Sequence, residues 1–166
     1  MTADSDAPPA GDGPLALDTL QRDILLPQIQ AFIDASADPA AREVYLALKT
    51  AVEAMEVAPA DLQARLGAIV EVALQSGRIR RLFGPGAELS LTALFQKTPR
   101  GREIAGSIRE LNRALAKLKG DTVEEVTATL RSAGAYALTL KTSGCQMIIR
   151  FEPAGVRVES VELALD

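Results

Sequence analysis

The chain has 166 residues, 48% of them hydrophobic and 24% charged, with a formal net charge of −4. That is the make-up of one ordinary globular domain, or of a domain with a small appended lobe. It contains no His and a single cysteine, Cys145, which removes Ser-His-Asp and Cys-His catalysis, internal disulfides and zinc sites of the paired-cysteine kind.

Aromatics are only 4% of the chain and Trp is absent, so the core has to be built from Leu, Ile, Val and Ala. No stretch approaches the roughly 18 apolar residues of a membrane span. The N-terminal MTADSDAPPAGDG lacks the basic and apolar regions of a secretory signal. A cytoplasmic protein without membrane insertion is expected.

Residues 1–14, acidic and rich in Pro, Gly and Ala, read as a flexible tail. A helical body is expected over 15–119. Asp18 and Gln21 have capping-box spacing before Leu20, Ile24, Ile29, Phe32 and Ile33, a run that Pro27 should kink or split. Asp38-Pro39 starts a second helix with Val44, Tyr45, Leu48, Val52 and Met55 on one face. A third runs from Pro59 through Leu62, Leu66, Ile69 and Val70 to a stop at Ser76-Gly77.

The segment RIRRLFGPGAELS then joins three arginines to a Gly-Pro-Gly sequence and reads as a loop, followed by one or two helical turns around Leu91, Leu94 and Phe95. Thr98-Pro99 is another N-cap and proline start. Ile104, Ile108, Leu111, Leu115 and Leu118 recur at heptad-like steps as far as Gly120. Two heptads are too short for an independent coiled coil, so this stripe reads as the core face of a bundle helix. Self-association along it is the alternative, with Arg109, Arg113 and Lys117 flanking.

Over 120–166 the reading is a helix plus three strands packed on the helical body. Asp121 and Glu124 have capping-box spacing ahead of Val123, Val126 and Leu130. From Ala135 the period falls to two. Tyr136, Leu138 and Leu140, then Cys145, Met147, Ile149 and Phe151, alternate around a Thr142-Ser-Gly144 turn. In the last strand Val156 and Val158 are out of phase with Val161, Leu163 and Leu165, and a bulge near Glu159–Ser160 would reconcile them. The fold class is thus α+β, with a bundle of five or six helices followed by a three-stranded antiparallel meander.

Charge is distributed unevenly. Residues 1–77 hold four basic and twelve acidic side chains, and residues 78–119 hold ten basic and three acidic. Arg78, Arg80, Arg81, Lys97, Arg100 and Arg102 form a candidate surface for acidic protein, nucleic-acid phosphate or a small anion. The Gly84-Pro85-Gly86 sequence lacks the Lys-Ser/Thr ending of a P-loop, and Leu89 stands where a dinucleotide fingerprint needs its third glycine.

Cys145 shares the apolar phase of its strand and reads as an inert buried thiol. Glu124 and Glu125 are adjacent on a predicted helix and do not face each other as a catalytic pair. No metal or cofactor ligand set stands out. The composite expectation is a non-catalytic assembly or adaptor subunit that meets another protein or its own copies. Its surfaces would be the basic block and a sheet edge at Val156, Val158, Val161 and Leu163. Nucleic-acid binding through 78–119, and carriage of a small apolar ligand in the core, are the alternatives.

Overall fold

The computed structural model describes residues 13–163. The chain divides into two compact units, one ending at Arg102 and one beginning at Glu103. Among the described residues the order is six helices, with a short strand pair woven between them, and then four strands.

In the first unit, α1 (Thr19–Ala35) opens on the expected capping box. The Asp18 carboxylate accepts from the Gln21 backbone N–H at 2.7 Å, and the Gln21 side chain accepts from the Asp18 N–H at 3.0 Å. Pro27 does not split the helix. A mid-helix proline costs about 3 kcal/mol, but Ile24, Leu25, Ile29 and Ile33 on either side of it are buried while Pro27 itself is exposed, and that apolar anchoring outweighs the cost.

Helix α2 (Pro39–Glu53) is capped by Asp38, α3 spans Ala60–Gln75, and α5 spans Pro85–Lys97. Together with α1 they enclose a core of Leu48, Val52, Leu66, Ile69, Val70, Leu91 and Leu94. Phe32 and Tyr45 stack in a tilted pair at 5.5 Å.

Three features of this unit depart from the sequence reading. The RIRRLF stretch is not a loop but a six-residue helix, α4 (Arg78–Phe83), held by buried Ile79 and separated from α5 by Gly84 alone. Gly84 can do this because its φ of +85° suits a residue without a Cβ. Leu15–Ala16 (β1) pairs antiparallel with Glu56–Val57 (β2). Most of the expected acidic tail lies outside the described residues, but the Gly13 carbonyl is tied down, accepting from the Gln63 side chain at 3.0 Å.

In the second unit, α6 (Pro99–Ala116) supplies its residues from Glu103 onward. It tightens beyond Ala116 through Lys117→Ala114 and Leu118→Leu115 backbone bonds and ends at Gly120, whose φ is +99°. The sheet has the order β3-β4-β5-β6, all antiparallel: Val123–Ser132, Ala135–Thr142, Cys145–Glu152 and Gly155–Leu163.

It therefore has four strands rather than three, because the segment expected to be a short helix is β3. The spacing of Val123, Val126 and Leu130 fits a helix, but Val126, Ala128 and Leu130 also alternate at period two. The intervening residues are threonines, which favour a pleated surface. Ladder bonds to β4 decide for the strand. The capping box does not form. Asp121 instead accepts from the Thr142 hydroxyl at 3.1 Å, and Glu124 pairs with Lys141 at 3.4 Å.

The bulge in β6 falls where the phase change demanded it. Ile148 pairs with Ser160 and Ile149 with Val158, leaving Glu159 as the extra residue. The heptad-like stripe of α6 does not face a helical bundle. Leu111, Ala114, Leu115 and Leu118 pack on Met147, Ile149 and Val156 of the sheet, while Ile108 is 43% exposed.

Candidate interaction surface

Residues paired across antiparallel strands point to the same face. The registers therefore sort the whole sheet. One face carries Leu130, Tyr136, Phe151 and Val156 in one row; Ala128, Leu138, Ile149 and Val158 in the next; and Val126, Leu140, Met147 and Val161 in a third. Cys145 and Leu163 continue it. The opposite face carries Thr127, Thr129, Thr139, Lys141, Gln146, Arg150, Arg157 and Ser160, with Ala137 and Ile148 as its apolar members.

A single helix about 10 Å across lies over four strands spaced about 4.8 Å apart, so it covers only part of such a face. The middle is covered: Met147 is fully buried and Ile149 is 2% exposed. The flanks are bare. Val126 is 55%, Leu130 68%, Tyr136 52% and Leu163 75% exposed, and Val123, Phe151 and Val161 are also open. At about 150–250 Å² for a fully exposed aromatic side chain and somewhat less for Val and Leu, the run from Val123 through Val126 and Leu130 to Tyr136 and Phe151 leaves roughly 500 Å² of apolar surface, the size of the largest, often functional, patch on a monomer.

The two sheet edges differ. On β6, Val156 is 8% exposed and Val158 half-buried under α6, so only Val161 and Leu163 of the expected edge contacts are open. This edge is bent by the Glu159 bulge and carries Arg157, Glu159 and Glu162, features that blunt strand addition. Across the polar face Glu159 meets Arg150, which also lies 3.6 Å from Glu152. Arg157 reaches Glu152 at 3.3 Å.

By contrast every residue of β3 is exposed. Between irregularities near Glu124 and Arg131, its ladder to β4 is continuous from Glu125 to Leu130, and from Val126 to Leu130 it is uncharged: Val-Thr-Ala-Thr-Leu.

The six basic candidates are divided among three helices. Arg80 lies 3.6 Å from Glu88, and Arg100 lies 3.8 Å from Glu71 of α3. The Arg102 guanidinium donates to the Lys97 carbonyl at 3.2 Å. Arg78 and Arg81 sit on α4 beside exposed Leu82 and Phe83. The contacts of Arg80 and Arg100 thus go to acidic groups of the chain itself, on different elements.

Cys145 is a buried free thiol, as its phase predicted, with its N–H bonded to Thr142 Oγ1 at 3.0 Å. Glu124 is the extra residue of the irregularity between Val123 and Glu125 and pairs with Lys141, while Glu125 accepts from the Thr127 hydroxyl at 3.0 Å.

Two open grooves lie among the described residues. One of about 420 Å³ is lined by Ala40, Val44, Ala47, Pro59 and Leu62 with Glu43 and Asp61. The other, about 190 Å³, lies between Glu103, Ser107 and the β5–β6 turn. Both open to solvent, so neither encloses an apolar ligand as a carrier's core would. Among the described residues no group of acidic or cysteine side chains is placed to hold a metal ion. No helix there is long and apolar enough to cross a membrane. Compared with protein-family models, curated proteins and solved structures, the chain matches none of them.

Proposed function

We propose that this protein is a non-catalytic assembly or adaptor component, acting in the cytoplasm, whose working surface is the uncovered part of the apolar sheet face together with the open edge of β3. The observation that carries this reading is the contrast within one face. Met147 is fully buried beneath α6, while Leu130 and Tyr136, two strands or fewer away, are more than half exposed. Apolar area of this extent is favourable to bury, at about 25 cal/mol per Å², and a bare β-edge adds unpaired backbone donors and acceptors that another strand can satisfy. The basic block supports a secondary, electrostatic contribution, since the Arg80 guanidinium stays largely exposed in its pair with Glu88, and such solvated pairs are weak.

The test is affinity capture from the native host with nuclease treatment, using the wild-type chain and a V126D/L130D variant side by side. A stoichiometric protein, including further copies of the chain, that survives nuclease and is lost with V126D/L130D supports the reading. Recovery of nucleic acid equally by both forms would overturn it in favour of the basic segment 78–119.

A further inference from the structure

The edge of β3 is self-complementary. In an antiparallel pairing of two copies centred on Ala128, Ala128 meets its own equivalent and Val126 meets Leu130 on the apolar face. Thr127 meets Thr129 on the polar face, and Glu125 falls opposite Arg131, the unpaired residue of the irregularity that ends the ladder, at each end. All of these residues are exposed. Glu124 already has Lys141 as an ion partner. Glu125 accepts only from the neighbouring Thr127 hydroxyl at 3.0 Å, and neither it nor Arg131 has an ion partner among the described residues.

Slipping the register by two residues destroys the match. One direction sets Glu124 against Leu130, and the other sets Arg131 against Thr127 and Glu125 against Ala133. A slip of one would turn the apolar residues of one copy onto the polar face of the other.

We infer that the chain forms a two-fold symmetric homodimer through antiparallel β3–β3 pairing centred on Ala128. The two four-stranded sheets join into one of eight strands, with both apolar faces on the same side. This rests on the assembly reading above and names its partner as a second copy. Charge complementarity between Glu125 and Arg131, repeated at both ends by the symmetry, argues for that occupant.

Self-pairing also explains why the β-prone middle of this edge, Val126–Leu130, is uninterrupted by charge, whereas Arg157, Glu159 and Glu162 are spread along β6. Symmetry makes the contact isologous, so it closes at two copies rather than propagating.

The experiment is sedimentation equilibrium of the full chain and of E125R, R131E and the double exchange E125R/R131E, each first checked for native circular dichroism. The wild type is expected at twice the chain mass. Each single reversal sets like charges together at both ends of the interface and weakens dimerisation by about tenfold. The double exchange restores it, and an equimolar mixture of the two single variants forms the mixed dimer more tightly than either variant self-associates.

A wild-type monomer at every attainable concentration overturns the inference. So does a dimer indifferent to all three variants, which would place the contact elsewhere. Neither result touches the assembly reading if V126D/L130D still abolishes capture of a different protein. Loss of both findings together would sink the assembly reading as well.

Discussion

Val126 and Leu140 are direct register partners across β3 and β4 on one face of the sheet, yet Leu140 packs into the cluster under α6 while Val126 is 55% exposed. In this row the boundary of the covered core therefore runs between β3 and β4. The β3 surface proposed for function lies on the open side of it.

This boundary predicts unequal costs for equivalent truncations. Ile149→Ala removes a side chain only 2% exposed and should lower stability by about 2–5 kcal/mol. Val126→Ala should change the stability of the monomer by less than about 0.5 kcal/mol. Urea denaturation of both variants over a range of protein concentrations separates the monomer term from any association term. Equal losses in the dilute limit would show that β3 is covered within the monomer.

A second prediction concerns Gly101. A Cβ built there would run into the Phe95 carbonyl oxygen, well inside van der Waals contact. The cause is the tight reversal in which Thr98 donates its hydroxyl to that same oxygen at 2.6 Å and accepts from the Gly101 N–H at 3.2 Å. The obstacle is backbone, which cannot step aside as a side chain would. Gly101→Ala should cost about 3 kcal/mol or more, whereas Gly86→Ala, where a Cβ meets nothing within 4 Å, should be tolerated. Thermal melts of the two variants make the comparison.

The contrast between these glycines marks what the sequence discloses. The helix starts at Asp18, Asp38 and Thr98 were legible because capping is local: a side chain, a proline and a spacing suffice. The β6 bulge was legible too, since a phase change between Val158 and Val161 has no other remedy in a strand that keeps one face apolar. What was hidden depends on partners distant in sequence. Val123–Leu130 satisfies both a helical and a strand period, and only the β4 backbone opposite it decides. The open surface was half visible: an exposed edge was expected at the last strand, and β6 is one edge of the sheet, with Val161 and Leu163 open on it. That β3 forms the other edge, and that a single helix leaves part of the face uncovered, are facts of packing.

Gln63 supplies a third prediction. Its side chain is 3% exposed, and its amide nitrogen lies within 3.0–3.1 Å of the Gly13, Val57 and Ala58 carbonyls. One buried amide thus pins the β1–β2 segment to α3, and nothing in the local sequence announces it. Gln63→Leu would keep the bulk but leave these acceptors short of a donor, at about 1–3 kcal/mol. Hydrogen exchange should show faster opening at Leu17, whose N–H bonds to the Met55 carbonyl at 3.0 Å in the same segment. A variant with unchanged exchange there would mean that the strand pair holds without Gln63.

The arginines give the last prediction, and it separates them into two kinds. Arg100 and Glu71 are each only 25% exposed at 3.8 Å, so their attraction is less screened than that of a fully solvated pair, and Arg100→Ala should cost up to about 1 kcal/mol at low salt. Arg81, on the exposed side of α4, has no ion partner among the described residues, and Arg81→Ala should leave stability within about 0.5 kcal/mol of the wild type. Added salt should shrink the Arg100 effect, because the Debye length falls to about 3 Å at 1 M, and leave the Arg81 variant where it was. Melting both at low and high ionic strength tests this directly. If Arg81→Ala were instead stabilising and its benefit vanished in salt, the α4 cations would be repelling one another. They would then form a concentrated positive site, and their role as an anion-binding surface would have to be reopened.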